Sequence, residues 1–237
     1  SIQIIRERLD WLAKQDLGID IGSGTLELSN VKEENWANNW KKYFKPKKVG
    51  KQIVIKPSWE EYAPAQGEII LELDPGMAFG TGTHETTILC IQALENHIDT
   101  NAQLLDVGCG TGILAIAGLL LGAKKAVAVD LDLDAVRISK ENATRNGVDP
   151  HIQVIHGDLM DKVDGKFNVV VSNIIADAII EISKDIKKYL TPNGVFIASG
   201  IILDRIEDVE TAIKEVGLSV IDIKTMGEWA VVVSRNE

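Results

Sequence analysis

Two cysteines, Cys90 and Cys109, are all that the 237 residues contain. That is too few for a disulfide framework or a thiolate zinc site, so no metal is expected and a reducing cytoplasm is the expected compartment. Long apolar runs are missing too. The longest, Ile113 to Leu121, has nine residues, against the roughly 20 needed to span a bilayer, so no membrane partner is expected. There is no secretory signal, no internal repeat and no low-complexity segment. The first residue is Ser1 rather than methionine, and the natural start is expected to lie outside this sequence.

What is present is an ordinary globular composition, 45% hydrophobic and 25% charged, in a chain long enough for one sizeable core and a smaller element. Its charge is uneven. Residues 1–51 hold ten Lys/Arg against seven Asp/Glu, whereas residues 52–237 hold fifteen against twenty-eight. An acidic main body argues against direct, sequence-specific binding of nucleic acid, which needs a basic face, and suits a basic protein substrate.

The chain opens with a helical pattern from Ile2 to Lys14, with Ile5, Leu9 and Leu12 on one face. Thr25 to Leu28 alternates like a short strand. Asn35 to Phe44 reads as a helix carrying Trp36, Trp40, Tyr43 and Phe44 on one stripe, ended by Pro46. Six lysines between Lys41 and Lys51 follow that stripe. They make either a solvated face or a contact surface for a partner such as ribosomal RNA.

From about residue 100 apolar strands and helices alternate. Strands are expected at 104–107, 126–130, 152–155, 169–173, 194–199, 218–224 and 229–234, with helices at 113–121, 134–146, 177–190 and 204–216. This is the α/β pattern of a mostly parallel seven-stranded sheet covered on both faces. The last two strands, joined by Met226-Gly227-Glu228, are expected as an antiparallel hairpin.

Asp106 lies in the first expected strand, and Gly108, Gly110 and Gly112 stand between that strand and its helix. A glycine turn there lets backbone N–H groups and a helix N-terminus approach a bulky ligand. The spacing is G-x-G-x-G, and Ile113 stands where the dinucleotide fingerprint places its last glycine. That tilts the cofactor from NAD or FAD toward S-adenosylmethionine (SAM), with S-adenosylhomocysteine as product. Asp106 is expected near the cationic end of the amino-acid moiety. Asp130, at the end of the second strand, is suited to a ribose diol, with Asp132 as a possible helper. Asp158, after the third strand, is placed for an adenine amino group.

Gly76 to Thr83 holds three glycines and two threonines before a helix expected at Glu85–Glu95, which suits a loop closing over a ligand. Phe79 and Gly80 in that loop are expected at the cofactor, with Phe79 shielding it from water. Asn173 ends the fourth strand, on the edge where open α/β sheets bind ligands. Its side-chain oxygen and the carbonyl of Ile174 are expected to accept hydrogen bonds from an attacking amine. An aliphatic amine must arrive neutral although the pKa of such a group in water is about 10.4. Burial lowers that value, and no obligate general base is expected. His84 is the only nearby candidate.

Asp74 through Thr87, Val171-Ser172-Asn173-Ile174-Ile175-Ala176, Glu34-Asn35-Trp36 through Phe44, and Pro57-Ser58-Trp59-Glu60 together resemble the bacterial ribosomal protein L-eleven methyltransferase family. The second stretch is similar to that family's Asn-Ile-Leu-Ala motif, with Ile175 in place of leucine. The resemblance implies a Rossmann-like class I SAM-dependent methyltransferase fold. It implies methyl transfer to lysine side chains and the α-amine of a large-subunit ribosomal protein, L-eleven. Carried over by position, its cofactor contacts fall on Thr87, Gly108, Asp130 and Asn173. It further implies that residues 1–30 are the remnant of an N-terminal substrate-recognition domain, most of it absent. Residues 31–65 would then form a linker helix and connecting segment, and 66–237 the methyltransferase domain. The residues alone leave two other readings open, a methyltransferase for a small molecule or RNA and a noncatalytic SAM-binding module.

Overall fold

The computed structural model describes residues 2–14, 44–74 and 82–237. The strand expected at 25–28, the helix expected at 35–44 save its last residue, and Phe79 and Gly80 lie outside the described residues. The chain divides into two compact units, Ser1–Tyr43 and Phe44–Glu237. In the first, helix α1 spans Ile2–Ala13, with Ile4, Ile5 and Trp11 exposed.

The second unit carries a seven-stranded sheet. Its strands are β4 (Gln103–Val107), β5 (Lys125–Asp130), β6 (Ile152–His156), β7 (Phe167–Asn173), β8 (Leu190–Ile202), β9 (Ser219–Met226) and β10 (Trp229–Arg235), ordered β6-β5-β4-β7-β8-β10-β9. The strands from β6 to β8 run parallel, and β10 is antiparallel to both β8 and β9. The expected hairpin is therefore present, but its second strand is slotted inside its first.

Strand composition explains how both faces are covered. Leu104, Val169, Val171, Val195, Ile197, Val231 and Val233 join one core, while their neighbours Leu105, Val170, Phe196, Ala198 and Val232 join the other. Successive side chains point to opposite faces, so a strand buried on both sides must be apolar throughout. Helices α2 (Glu85–His97) and α3 (Ile113–Leu120) pack on the first core, and α5 (Ala176–Tyr189) and α6 (Ile206–Glu215) on the second. In α5 the buried set Ile179, Ile182, Ser183 and Ile186 recurs every three or four residues. α3 is buried along nearly its whole length, which matches its uniformly apolar sequence. Helix α4 (Leu133–Arg145) buries Ser139 and Asn142 behind the turn that follows β4.

One element is not legible in the sequence. Strands β1 (Lys47–Lys48), β2 (Ile53–Lys56) and β3 (Ile69–Glu72) form a second, three-stranded sheet. Val49, Ile53, Ile55 and Leu71 enter the same core as α2 and α3. Residues 44–65, expected as a connecting segment, are thus packed into the unit that carries the large sheet. Glu95 of α2 fixes them by accepting the backbone N–H groups of Lys51, Gln52 and Ile53 at 2.7, 2.7 and 3.1 Å. Short strands among lysines and prolines leave no periodic signal to read. Lys45 and Lys48 pair with Glu60 and Glu68 at 2.9 and 3.0 Å, so part of the lysine cluster is neutralised by its own fold.

Candidate active site

A cavity of about 610 Å³ opens at the carboxyl ends of β4 to β8, the edge where parallel sheets present ligands. The turn after β4 forms its floor. Gly108, Gly110 and Gly112 have φ of 73°, 53° and 78°, in the left-handed region that side chains resist. The N–H groups of Gly108 and Cys109 both donate to the Val129 carbonyl, at 2.9 and 3.0 Å, tying the turn to the end of β5. A side chain at Gly108 would meet Ile174 at 2.5 Å, and one at Gly112 would meet Ser139 at 2.2 Å.

Asp130 stands beside this turn. Its Oδ2 accepts the Gly110 N–H at 2.8 Å and its Oδ1 the Asp132 N–H at 2.9 Å. The carboxylate is therefore oriented by backbone, and each oxygen keeps a further lone pair. Asp158 also lines the cavity. Asp132 does not. It caps α4 by accepting the Asp134 N–H, a common role for an aspartate at that position. His156 bonds the Leu131 carbonyl at 3.0 Å and so braces the same corner.

Two residues expected to touch cofactor lie behind the wall. Gly112 is the N-cap of α3 and is absent from the lining. Asp106 is 1% exposed, and its Oδ2 accepts the Ala115 N–H at 3.0 Å. Its carboxyl faces the start of α3, because β4 points alternate residues to opposite sides. Its Oδ1 has no partner. Burial pushes the Asp106 pKa up to about 7, the Ala115 hydrogen bond opposes the shift, and the Asp130 charge adds to it. Cys109 is buried nearby, and burial raises its thiol as well, so neither cysteine is a nucleophile.

The other end of the cavity is assembled from distant segments. Asn173 ends β7, and its Nδ2 donates to the fully buried Thr87 Oγ1 at 3.4 Å. Ile174 is wedged between two glycines. A side chain at Gly200, where φ is 82°, would meet the Ile174 carbonyl oxygen at 2.1 Å. Trp229, the first residue of β10, packs edge-on against His84 with ring centroids 5.2 Å apart and planes at 67°. His84 caps α2 by accepting the Thr86 N–H at Nδ1. His84, Gly200 and Trp229 all line the cavity. Sequence reasoning missed Gly200 and Trp229 as site residues, because each is a single residue at a strand end with no local pattern around it.

The volume matches a nucleoside-sized ligand, since ligand sites span about 300–1,000 Å³. The glycine turn offers backbone where a Cβ would collide, and Asp130 offers acceptors to a diol. Strand order, turn and acidic strand end fit SAM and together define the chain as a Rossmann-like class I SAM-dependent methyltransferase.

Comparison with known proteins narrows the class. The sequence pattern of the ribosomal protein L11 methyltransferase (PrmA) family matches residues 5–237, and the chain belongs to that family. It is 49% identical over 235 residues to the ribosomal protein L11 methyltransferase of Alkaliphilus metalliredigens, spanning 99% of this chain and 74% of that protein. The crystal structure of a ribosomal protein L11 methylase from Lactobacillus delbrueckii subsp. bulgaricus is similar with a TM-score of 0.77 and 32% identity, covering 82% of this chain and all of that one. An RNA methyltransferase from Salinibacter ruber, solved with S-adenosylhomocysteine, shares the fold at 18% identity and a TM-score of 0.50, covering 62% of this chain and 89% of that one.

Proposed function

We propose that the protein methylates ribosomal protein L11 at lysine side chains and the α-amine, with cofactor and acceptor entering opposite ends of the one cavity. Family membership supports the substrate. The observation that carries the site assignment is the separation of Asp130, held by backbone at the β5 end, from Asn173, held by Thr87 at the β7 end.

In this reading Gly108, Gly110, Asp130 and Asp158 hold the nucleoside, while Thr87 and Asn173 adjoin the methionine portion. Asp106 acts indirectly, by bracing the first turn of α3. When bound, SAM supplies a methyl group on a sulfonium, an electrophile that needs alignment more than activation. The chain's part is to align the amine. Because Asn173 spends its Nδ2 on Thr87, its Oδ1 is the atom left to accept from an incoming N–H. The Ile174 carbonyl, fixed against Gly200, is the second acceptor. Two acceptors set the direction of the nitrogen lone pair.

The walls exclude water through Ile113, Leu114, Leu159 and Ile175, which favours the neutral amine and suits a transition state of dispersed charge. The amine's proton then leaves to bulk water. His84 is not the base of this reading, because its Nδ1 lone pair already caps α2. Among the described residues no helix is long and apolar enough to cross a membrane. The acidic body supports a protein rather than a nucleic-acid contact, and the cytoplasm, where ribosomal proteins are made, is the proposed compartment.

Incubation with labelled SAM and undermethylated large ribosomal subunits, followed by mass spectrometry of the proteins, tests this reading. Label on L11 amines is the expected result. Label confined to RNA would overturn it.

A further inference from the structure

Among the described residues of the second unit eight large hydrophobic side chains are exposed, and five of them, Leu131, Leu133, Ile175, Ile202 and Leu203, lie at or just beyond the carboxyl ends of β5, β7 and β8. Three lie on the amine side: Ile175 is 70% exposed, Ile202 45% and Leu203 44%. Their placement together follows from the backbone. Ile175 lines the cavity, as do Trp229 and Gly200. Ile202 is the ladder partner of Trp229, and directly opposed residues share a face of a sheet. Leu203 donates its N–H to the Glu228 carbonyl at 3.2 Å, next to Trp229.

The segment after β8 is tied to its neighbours. Arg205 donates from Nη2 to Asp177 Oδ1 at 2.6 Å and from Nε to Asp208 Oδ2 at 2.7 Å, pinning the segment after β8 to the first turn of α5. The same contacts engage Arg205, while among the described residues Asp204, Glu207 and Glu228 on these segments form no salt bridge. An apolar surface rimmed by uncompensated carboxylates is complementary to a polypeptide that is basic and carries an aliphatic side chain.

We propose that Ile175, Ile202 and Leu203 form a specificity shelf that seats an aliphatic residue flanking the target amine in a basic segment of the protein substrate. The inference rests on the amine-methyltransferase reading of the cavity and adds to it a local sequence preference at the acceptor. Seating an aliphatic side chain stabilises the complex in proportion to the apolar area removed from water. Partial burial on a shelf should therefore show as roughly a tenfold effect on kcat/KM.

The test compares the wild-type protein with the double variant Ile202→Ser, Leu203→Ser. Substrates are undermethylated L11 and two arginine-containing lysine peptides that differ only in leucine or serine beside the lysine. Wild type should favour the leucine peptide about tenfold, with KM rising in high salt as the carboxylates are screened. The double variant should lose that preference and raise KM for L11, while kcat and calorimetric SAM affinity stay near wild type. A leucine preference that survives the double substitution, or an unchanged KM, overturns the shelf. So does sedimentation showing that the substitutions only convert a dimer to a monomer. Wild type that binds SAM yet methylates neither L11 nor peptide sinks the methyltransferase reading itself, which is a separate and recognisable outcome.

Discussion

The two ends of the cavity are built by opposite means. The cofactor end is made of backbone: a turn of left-handed glycines, N–H groups committed to the Val129 carbonyl, and a carboxylate steered by two more N–H groups. The amine end is assembled from distant segments, the side chains of Thr87 in α2, Asn173 in β7 and Trp229 in β10 with the Ile174 carbonyl held against Gly200 of β8, brought together only by the tertiary fold. A backbone cradle tolerates drift in its neighbours, because its geometry is set locally. A side-chain cluster depends on every element that supports it, so turnover should be more fragile than cofactor binding.

The strongest way to break that contrast is Gly200→Ala. The added carbon cannot coexist with the Ile174 carbonyl 2.1 Å away, so the Asn173–Ile174 corner must move. Misplacement of about 1 Å can cost on the order of a hundredfold in rate. We expect a loss of that size in single-turnover methyl transfer, with SAM affinity changed by only a few-fold. Equal losses in both would erase the distinction between the two ends. Asp130→Ala addresses the opposite end. It should weaken SAM binding by about 1.5–3 kcal/mol, the range for a hydrogen bond to a charged group. Unchanged affinity by calorimetry would refute a ribose role for Asp130.

A third prediction uses pH. Asp106 has a folded pKa of about 7 against an ordinary 3.8. Between those values the folded state holds the proton more tightly than the unfolded chain. This group's contribution to stability is therefore full below pH about 4, falls as pH rises through the interval, and levels off above about 7. Asp106→Asn keeps the acceptor for Ala115 and removes the titration. Its Tm should decline less than wild type from pH 5 to 8, by a few degrees, since each kcal/mol shifts Tm by about 2–4 °C at this size. Parallel melting profiles would show that the carboxyl is ionised in the fold. The smallest effect is expected for His84→Asn. Asparagine is also a good helix cap, so methyl transfer should fall less than tenfold and Tm should hardly move. A hundredfold loss would restore His84 as the base.

Legibility follows the same division. That Gly108, Gly110, Asp130 and Asp158 stand at one cavity could be read because turns and strand ends of alternating strands and helices gather at one sheet edge. That Asp106 and Gly112 do not line it could not be read, since spacing along a chain does not tell which side of the backbone faces the cavity. Thr87 came from family resemblance, and Asn173 from its strand end and that resemblance together. Each is an ordinary residue whose role depends on an 86-residue separation closed by folding. Trp229 and Gly200 left no signal, and neither did β1 to β3, whose partners in the core lie far along the chain. The seven strands of the large sheet were legible because burial on both faces demands continuous apolar runs.

The insertion of β10 between β8 and β9 has a consequence for synthesis. Trp229–Arg235 follows every other strand in the chain, yet it sits inside the sheet and supplies Trp229 to the cavity. While the nascent chain is still being made, β8 presents an unpaired edge and the amine entrance lacks one wall. The cavity wall that Trp229 supplies is thereby completed only once β10 has been captured between β8 and β9.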